Sequence, residues 1–311
     1  MERRLKDYLL IFLKGIGMGA ADAVPGVSGG TIAFISGIYE ELITTIGKVD
    51  FSLIKTWKNK GFSAMWKQLN GNFLLALLMG IGISIFSLMH VASYMLENHP
   101  ILIWSFFFGL VLASIWFVSK EIKRWHLGTL LVLIIGAVTA YFITTLTAAP
   151  SAEHSNFYLF LSGAIAVVAM ILPGISGSYI LVLLGTYKEI SDAVTDLDFK
   201  KLFFVATGII VGLLSFSKIL KWLFSKYETL TLAALTGFII GSLNKMWPWK
   251  KTLEEKVING ETHITAEQSV LPAQFEGDPK ILAAFISFLI GFLLILFLEN
   301  IAKKMSPSNE K

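Results

Sequence analysis

The chain has 311 residues, of which 55% are hydrophobic and only 15% charged, with no cysteine and a net charge of +4. Its mean hydropathy of +0.69 exceeds what a water-soluble core of this size needs, which argues against a soluble enzyme and for a polytopic membrane protein. The missing cysteines exclude disulfides and thiolate metal sites. The basic residues fall in short segments between apolar runs, where they report orientation and give no sign of nucleic-acid binding.

The N-terminus, MERRLKDYLLIFLKGIGMGAADAVPG, starts basic like a signal peptide. Lys14 interrupts its apolar stretch and no small-x-small cleavage site precedes Pro25, so it is expected to be retained. Residues 8–46 form a stretch broken by AVPGVSGGTI. Proline removes a backbone donor and glycine permits angles other residues avoid, so one half-helix ends at Pro25-Gly26 and another begins near Ser28 to Thr31. Apolar runs of about 20 residues, long enough to cross a hydrocarbon layer about 30 Å thick, follow at 73–96, 101–118 and 127–146. After the polar segment TAAPSAEHSNF comes a second broken stretch, 157–195, containing MILPGISGSYI, then spans at 202–222, 230–247 and 281–301 with a polar loop at 246–280. Within that loop KVINGETHI sets Asn-Gly between short alternating runs and predicts a small β-hairpin, an irregular loop being the alternative.

The order repeats because the sequence does. A shift of 148, from Pro25 to Pro173, also pairs Gly26 with Gly174, Ser28 with Ser176, Gly29 with Gly177, Gly37 with Gly185, Tyr39 with Tyr187 and Glu41 with Glu189. A shift of 128 pairs Gly80 with Gly208, Gly109 with Gly237 and Ser114 with Ser242, and Gly136 pairs with Gly291. The chain therefore reads as repeat one, 1–148, and repeat two, 149–305, together one transport domain. Lys and Arg collect in cytoplasmic loops, and they lie on both flanks of the first broken stretch (Arg3, Arg4, Lys6; Lys48, Lys55, Lys58), which therefore enters and leaves on one side. Lys120, Lys123 and Arg124, then Lys218, Lys221 and Lys226, then Lys303 and Lys304 fall inside, while SDAVTDLD and the acidic 246–280 loop fall outside. The expected fold is an all-α polytopic membrane protein with both termini cytoplasmic. It has two inverted repeats, each one re-entrant helical hairpin plus three transmembrane helices.

Inverted repeats with discontinuous helices are a recurrent plan of secondary transporters, with the substrate site near the midplane. A helix that starts inside the membrane offers free N–H groups and positive dipole to an anion. Ser28, Thr31, Ser176 and Ser178 add hydroxyl donors, and Gly29, Gly30 and Gly177 allow close approach to the backbone. The competing reading is that Pro and Gly merely kink packed helices. Asp22, whose counterpart is Met170, is a coupling-ion candidate or else a cap for the helix beyond the break. Glu41 and Glu189, near the hairpin exits, are further candidates, with an ordinary interfacial place as the alternative. No Walker loop, nucleophile elbow or HExxH motif is present.

These residues carry a family resemblance. The blocks GMGAADAVPGVSGGTIAFISGIYEELI and PGISGS, and the arrangement of spans from about Lys6 to Lys304, resemble the bacterial polyprenyl-phosphate transporters. The resemblance implies a lipid transporter that is not an enzyme and holds no cofactor. It would return undecaprenyl phosphate from the outer to the inner leaflet of the cytoplasmic membrane, a task shared with the separate DedA family. It implies a phosphate-binding site at Pro25, Gly26, Ser28, Gly29, Gly30 and Thr31 and at Pro173, Gly174, Ser176, Gly177, Ser178 and Tyr179. Inward movement of the anion opposes an inside-negative potential at about 2.3 kcal/mol per charge per 100 mV, so proton or sodium coupling is expected. The rival readings are an ion-coupled carrier of a small soluble anion and an intramembrane lipid phosphatase.

Overall fold

The computed structural model describes residues 3–22, 28–146, 149, 153–258 and 261–305; the side chains at 88–90, 92–93, 254–258, 261–266 and 298–305 lie outside that description. The first broken stretch is α1 (Leu5–Asp22), α2 (Gly29–Ile35) and α3 (Tyr39–Ile46), with Pro25-Gly26 outside the described residues. Then come α4 (Phe51–Leu69), α5 (Gly71–Asn98), α6 (Pro100–Glu121) and α7 (Leu127–Thr145). The second broken stretch is α8 (Asn156–Ile171), a turn at Pro173-Gly174, α9 (Gly177–Leu183) and α10 (Tyr187–Thr195), followed by α11 (Phe199–Ser242) and α12 (Ile281–Met305).

The sequence spans 73–96, 101–118, 127–146 and 281–301 fall on α5, α6, α7 and α12. Those at 202–222 and 230–247 are the two arms of α11, parted at Tyr227, whose backbone (φ −135°, ψ 43°) leaves the helical region. By length and apolar character α6, α7 and the run Phe199–Met246 are long enough to cross a membrane, and α4 with the start of α5 makes a pair bent by 55°. Apolar side chains at Phe86, Ile135, Phe142 and Leu282 face outward, as lipid-facing helices require. The chain is an all-α, multi-pass membrane protein.

Two segments add detail. Residues 51–69, which the sequence reading leaves as a basic loop, fold into α4, interrupted at Gly61 (φ 82°). Its exposed Phe51, Trp57 and Phe62 alternate with lysines, the composition of a helix at a membrane surface. In the polar loop, β1 (Lys250–Ile258) pairs antiparallel with β2 (Glu261–Ser269), so of the two expectations there the hairpin is observed, with Asn259-Gly260 outside the described residues.

Glycines bring helix backbones into contact. A methyl group added at Gly15 would strike the Leu77 carbonyl, and one at Gly80 the Phe12 carbonyl, which joins α1 to α5. Gly163 against Val205 and Gly208 against Phe160 join α8 to the first arm of α11 in the same way. The shifts of 148 and 128 convert one set of contacts into the other residue by residue. Gly109 of α6 meets Phe288 and Gly291 of α12 meets Phe106, while Gly237 of α11 meets Leu133 and Gly136 of α7 meets Ala234. The last helix of each half thus packs on the middle span of the other half, as small residues in membrane helices allow. The turns that close α2 and α9 also match: Gly37 and Gly185 both adopt φ 72°, a left-handed angle that a side chain would strain. A core of Phe34, Tyr39, Ile43, Phe73, Val111 and Ile239 joins the first broken stretch to α5, α6 and α11.

Candidate anion site

The two breaks meet each other. Thr31 Oγ1 accepts a hydrogen bond from the Gly174 backbone N–H at 2.8 Å, and Ser28 Oγ donates to the Met170 carbonyl at 3.3 Å. A Cβ at Gly30 would lie 2.7 Å from the Met170 carbonyl and 2.8 Å from that of Ile171. The first tip therefore satisfies backbone groups that the break frees at the end of α8, each of which would cost several kcal/mol if left bare in lipid. Gly174 takes φ 89°, and a Cβ there would meet the Ser242 hydroxyl at 2.6 Å.

The tips differ in what they hold. At the first, Ser28 caps α2 by accepting from Gly30 N–H at 3.1 Å, and Asp22 Oδ1 accepts from Gly29 N–H at 2.6 Å. Ser28, Gly29, Gly30 and Thr31 are all buried. At the second, Ser176 makes no side-chain cap bond and instead lies 2.9 Å from the Ser178 hydroxyl. Among the described residues the Gly177 and Ser178 N–H groups have no bonded acceptor. Ser178 is exposed and Ser176, Gly177 and Tyr179 are half-buried, while Pro173 and Gly174 are buried. Gly177 is the counterpart of Gly29, and Met170 stands where the first half has Asp22, so the second tip lacks a carboxylate of its own.

The other acidic candidates sit away from the tips, in ion pairs. Glu41 accepts from Arg3 through both oxygens, at 2.7 and 2.6 Å, and from Asn70 at 2.8 Å. Its counterpart Glu189 pairs with Lys201 at 2.8 Å and with His154 at 3.1 Å. Each carboxylate ties α3 or α10 to a neighbouring segment.

Cations that no local motif announces lie beside the second tip. Tyr179 donates to carbonyls at the end of α7, among them Leu146 at 3.2 Å, and Lys245 Nζ lies 5.0 Å above its ring. Lys250 of β1 lies 4.3 Å above the Trp104 ring of α6. Glu267 of β2 pairs with both, at 3.5 Å from Lys245 and 3.4 Å from Lys250. Burial holds the Lys250 ammonium down at about 8, with Glu267 opposing that shift and Lys245 adding to it. Sequence reasoning finds no Arg or His near either tip, and these lysines are 66 or more positions from Tyr179. Only the folding of the segment that follows α11 onto α6 and α9 brings them there.

The family model described as undecaprenyl phosphate translocase-like matches residues 18–263. The chain belongs to this family. It is 45% identical over 309 residues, 98% of this chain and all of the relative, to a polyprenyl-phosphate transporter of Vibrio cholerae serotype O1. It is 30% identical over 253 residues, 76% of this chain and 85% of the relative, to a polyprenyl-phosphate transporter of Staphylococcus aureus. No solved structure matches the chain. The matched region includes both tips, Lys245 and Lys250.

Proposed function

We propose that the protein carries undecaprenyl phosphate from the outer to the inner leaflet of the bacterial cytoplasmic membrane, returning the lipid carrier for cell-wall polymer synthesis. The observation that carries this reading is the difference between the tips. The second presents hydroxyl and N–H donors that no carboxylate among the described residues accepts from, while the first has filled the matching place with Asp22. In this reading the halves are inverted repeats, 1–148 and 149–305, whose re-entrant hairpins reach the midplane from opposite faces. The recurrence of the Gly15, Gly80, Gly109 and Gly136 contacts at Gly163, Gly208, Gly237 and Gly291 supports it, and so does the loop charge. The headgroup passes between the tips while the polyprenyl tail stays in lipid, so only a phosphate needs a polar path.

Handover to the first tip requires Asp22 to leave the Gly29 N–H. Protonation of Asp22, or a sodium ion on it, weakens its hold and lets the phosphate take its place, which couples the cation to the headgroup. The test is leaflet-resolved measurement of undecaprenyl phosphate in proteoliposomes. Inward movement is expected to quicken with an inward proton or sodium gradient, and Asp22→Asn to erase that dependence. A wild-type protein that moves no lipid under any gradient contradicts the reading, and an unchanged gradient dependence in Asp22→Asn removes Asp22 from it.

A further inference from the structure

Resting on the proposed transport of a phosphate-bearing lipid, we propose that Lys245 and Lys250 form a reception site for that phosphate beside Tyr179 of the second tip, in which the Glu267 carboxylate occupies the place a headgroup would take. Five separated segments build the cluster: Trp104 on α6, Tyr179 on α9, Lys245 beyond α11, Lys250 on β1 and Glu267 on β2. The Lys250 side chain is 11% exposed and that of Lys245 27%. Cations taken out of water need paired anions, yet these two share one carboxylate, itself 28% exposed. Among the described residues the cluster is thus one negative charge short of balance, and a phosphate monoester, carrying up to about two charges at neutral pH, supplies it. Both ammonium groups rest on aromatic faces, which fixes their direction while leaving their hydrogens to donate.

The position orders the path. Lys245 lies on the Tyr179 ring, so an anion bound by the lysines sits at the side chain of one residue of the second tip, two positions along the same helix from Gly177. The shift of 128 sets Phe117 where the second half has Lys245, so this cation belongs to one half only and gives the transporter a receiving side. Trp247 and Trp249, which bracket the turn into β1, also line a slot of about 260 Å³ with Phe108, Phe285 and Phe288. An apolar slot adjoining the cluster favours a phosphate on a hydrocarbon chain over a free one.

The same contacts would serve a clamp that only fastens the hairpin to the bundle, and Glu267 separates the two roles. With the full chain in nanodiscs, binding of farnesyl phosphate, farnesol and inorganic phosphate is measured by calorimetry, together with thermal stability. Lys245→Gln and Lys250→Gln are each expected to weaken farnesyl phosphate about tenfold, the loss of one charge-assisted hydrogen bond. Glu267→Gln, which frees both lysines, is expected to strengthen it several-fold, with farnesol and inorganic phosphate binding weakly throughout. Unchanged affinity in both lysine variants, or a weaker Glu267→Gln, overturns the site. Inorganic phosphate that binds as well as farnesyl phosphate, with the same sensitivity to the variants, reassigns the site to a soluble anion and overturns the headgroup assignment. If a lysine variant fails to fold, Glu267→Gln decides alone. Wild-type protein that binds no farnesyl phosphate defeats the transport reading itself, whereas wild-type binding with indifferent variants defeats only the site.

Discussion

The two broken stretches share a sequence pattern, the same closing turn and the same glycine contacts, yet one tip is sealed and the other is open. In the first, Asp22 and Ser28 occupy the N–H groups that the break releases, and the residues are buried. In the second, Met170 replaces the aspartate, the serines bond to each other, and Ser178 is exposed. In the proposed reading both tips are anion cradles, and the exchange of Asp22 for Met170 leaves a resident carboxylate in only one of them. On that reading the asymmetry of transport rests on which tip carries its own carboxylate, while the helix contacts around the two stay paired.

Breaking the contact between the tips is expected to have the largest effect. Gly30→Val would drive a side chain into the Met170 and Ile171 carbonyls, and with backbone on the far side nothing yields cheaply. Loss of transport by two orders of magnitude or more is expected, with a lower melting temperature in detergent. Next is Met170→Asp, which gives the second tip the carboxylate of the first. The Met170 Cβ lies beside Gly177, so a carboxylate there reaches the Gly177 N–H, and polyprenyl phosphate affinity is expected to fall about tenfold or more as the new acid competes for it. Equal affinity in that variant would show that the tips do not differ in the way described.

A smaller effect follows from Lys250, which faces Lys245 and Glu267. Its ammonium is held down at about 8, and an anion favours the protonated form, so affinity should fall several-fold as pH rises through that value. Below about pH 6 the phosphate loses its second charge, so binding titrations should show a maximum between the two. Lys250→Arg is expected to flatten the alkaline limb, because a guanidinium stays charged. The smallest effect is expected for Glu41→Gln. Its pair with Arg3 is about a third exposed on both sides, so thermal unfolding should report about 1 kcal/mol or less, with transport preserved.

Much of this was legible from the chain itself. Long apolar runs mark their own helices, and the doubled Pro-Gly-x-Ser-Gly break marks its own counterpart, because spacing and apolar length act locally. Asp22 allowed two local readings, and its carboxylate is found on Gly29 N–H, as the capping alternative expects. What escaped sequence reasoning depends on long-range placement. The partners of Glu41 and Glu189 come from Arg3, His154 and Lys201, and Lys245 and Lys250 reach the second tip only through the loop that follows α11. The helix α4 was missed because Gly61 and four lysines dilute its apolar face to the composition of a loop.

The absence of native cysteine makes a direct measurement of the asymmetry clean. Single-cysteine variants Ser28→Cys and Ser178→Cys, reconstituted with known orientation, are exposed to a membrane-impermeant thiol reagent from each side with and without undecaprenyl phosphate. Ser178→Cys is predicted to be labelled from the outer side and protected by the lipid, while Ser28→Cys resists labelling from that side. Equal outer labelling of both positions, or labelling of Ser178→Cys only from the inner side, would contradict it.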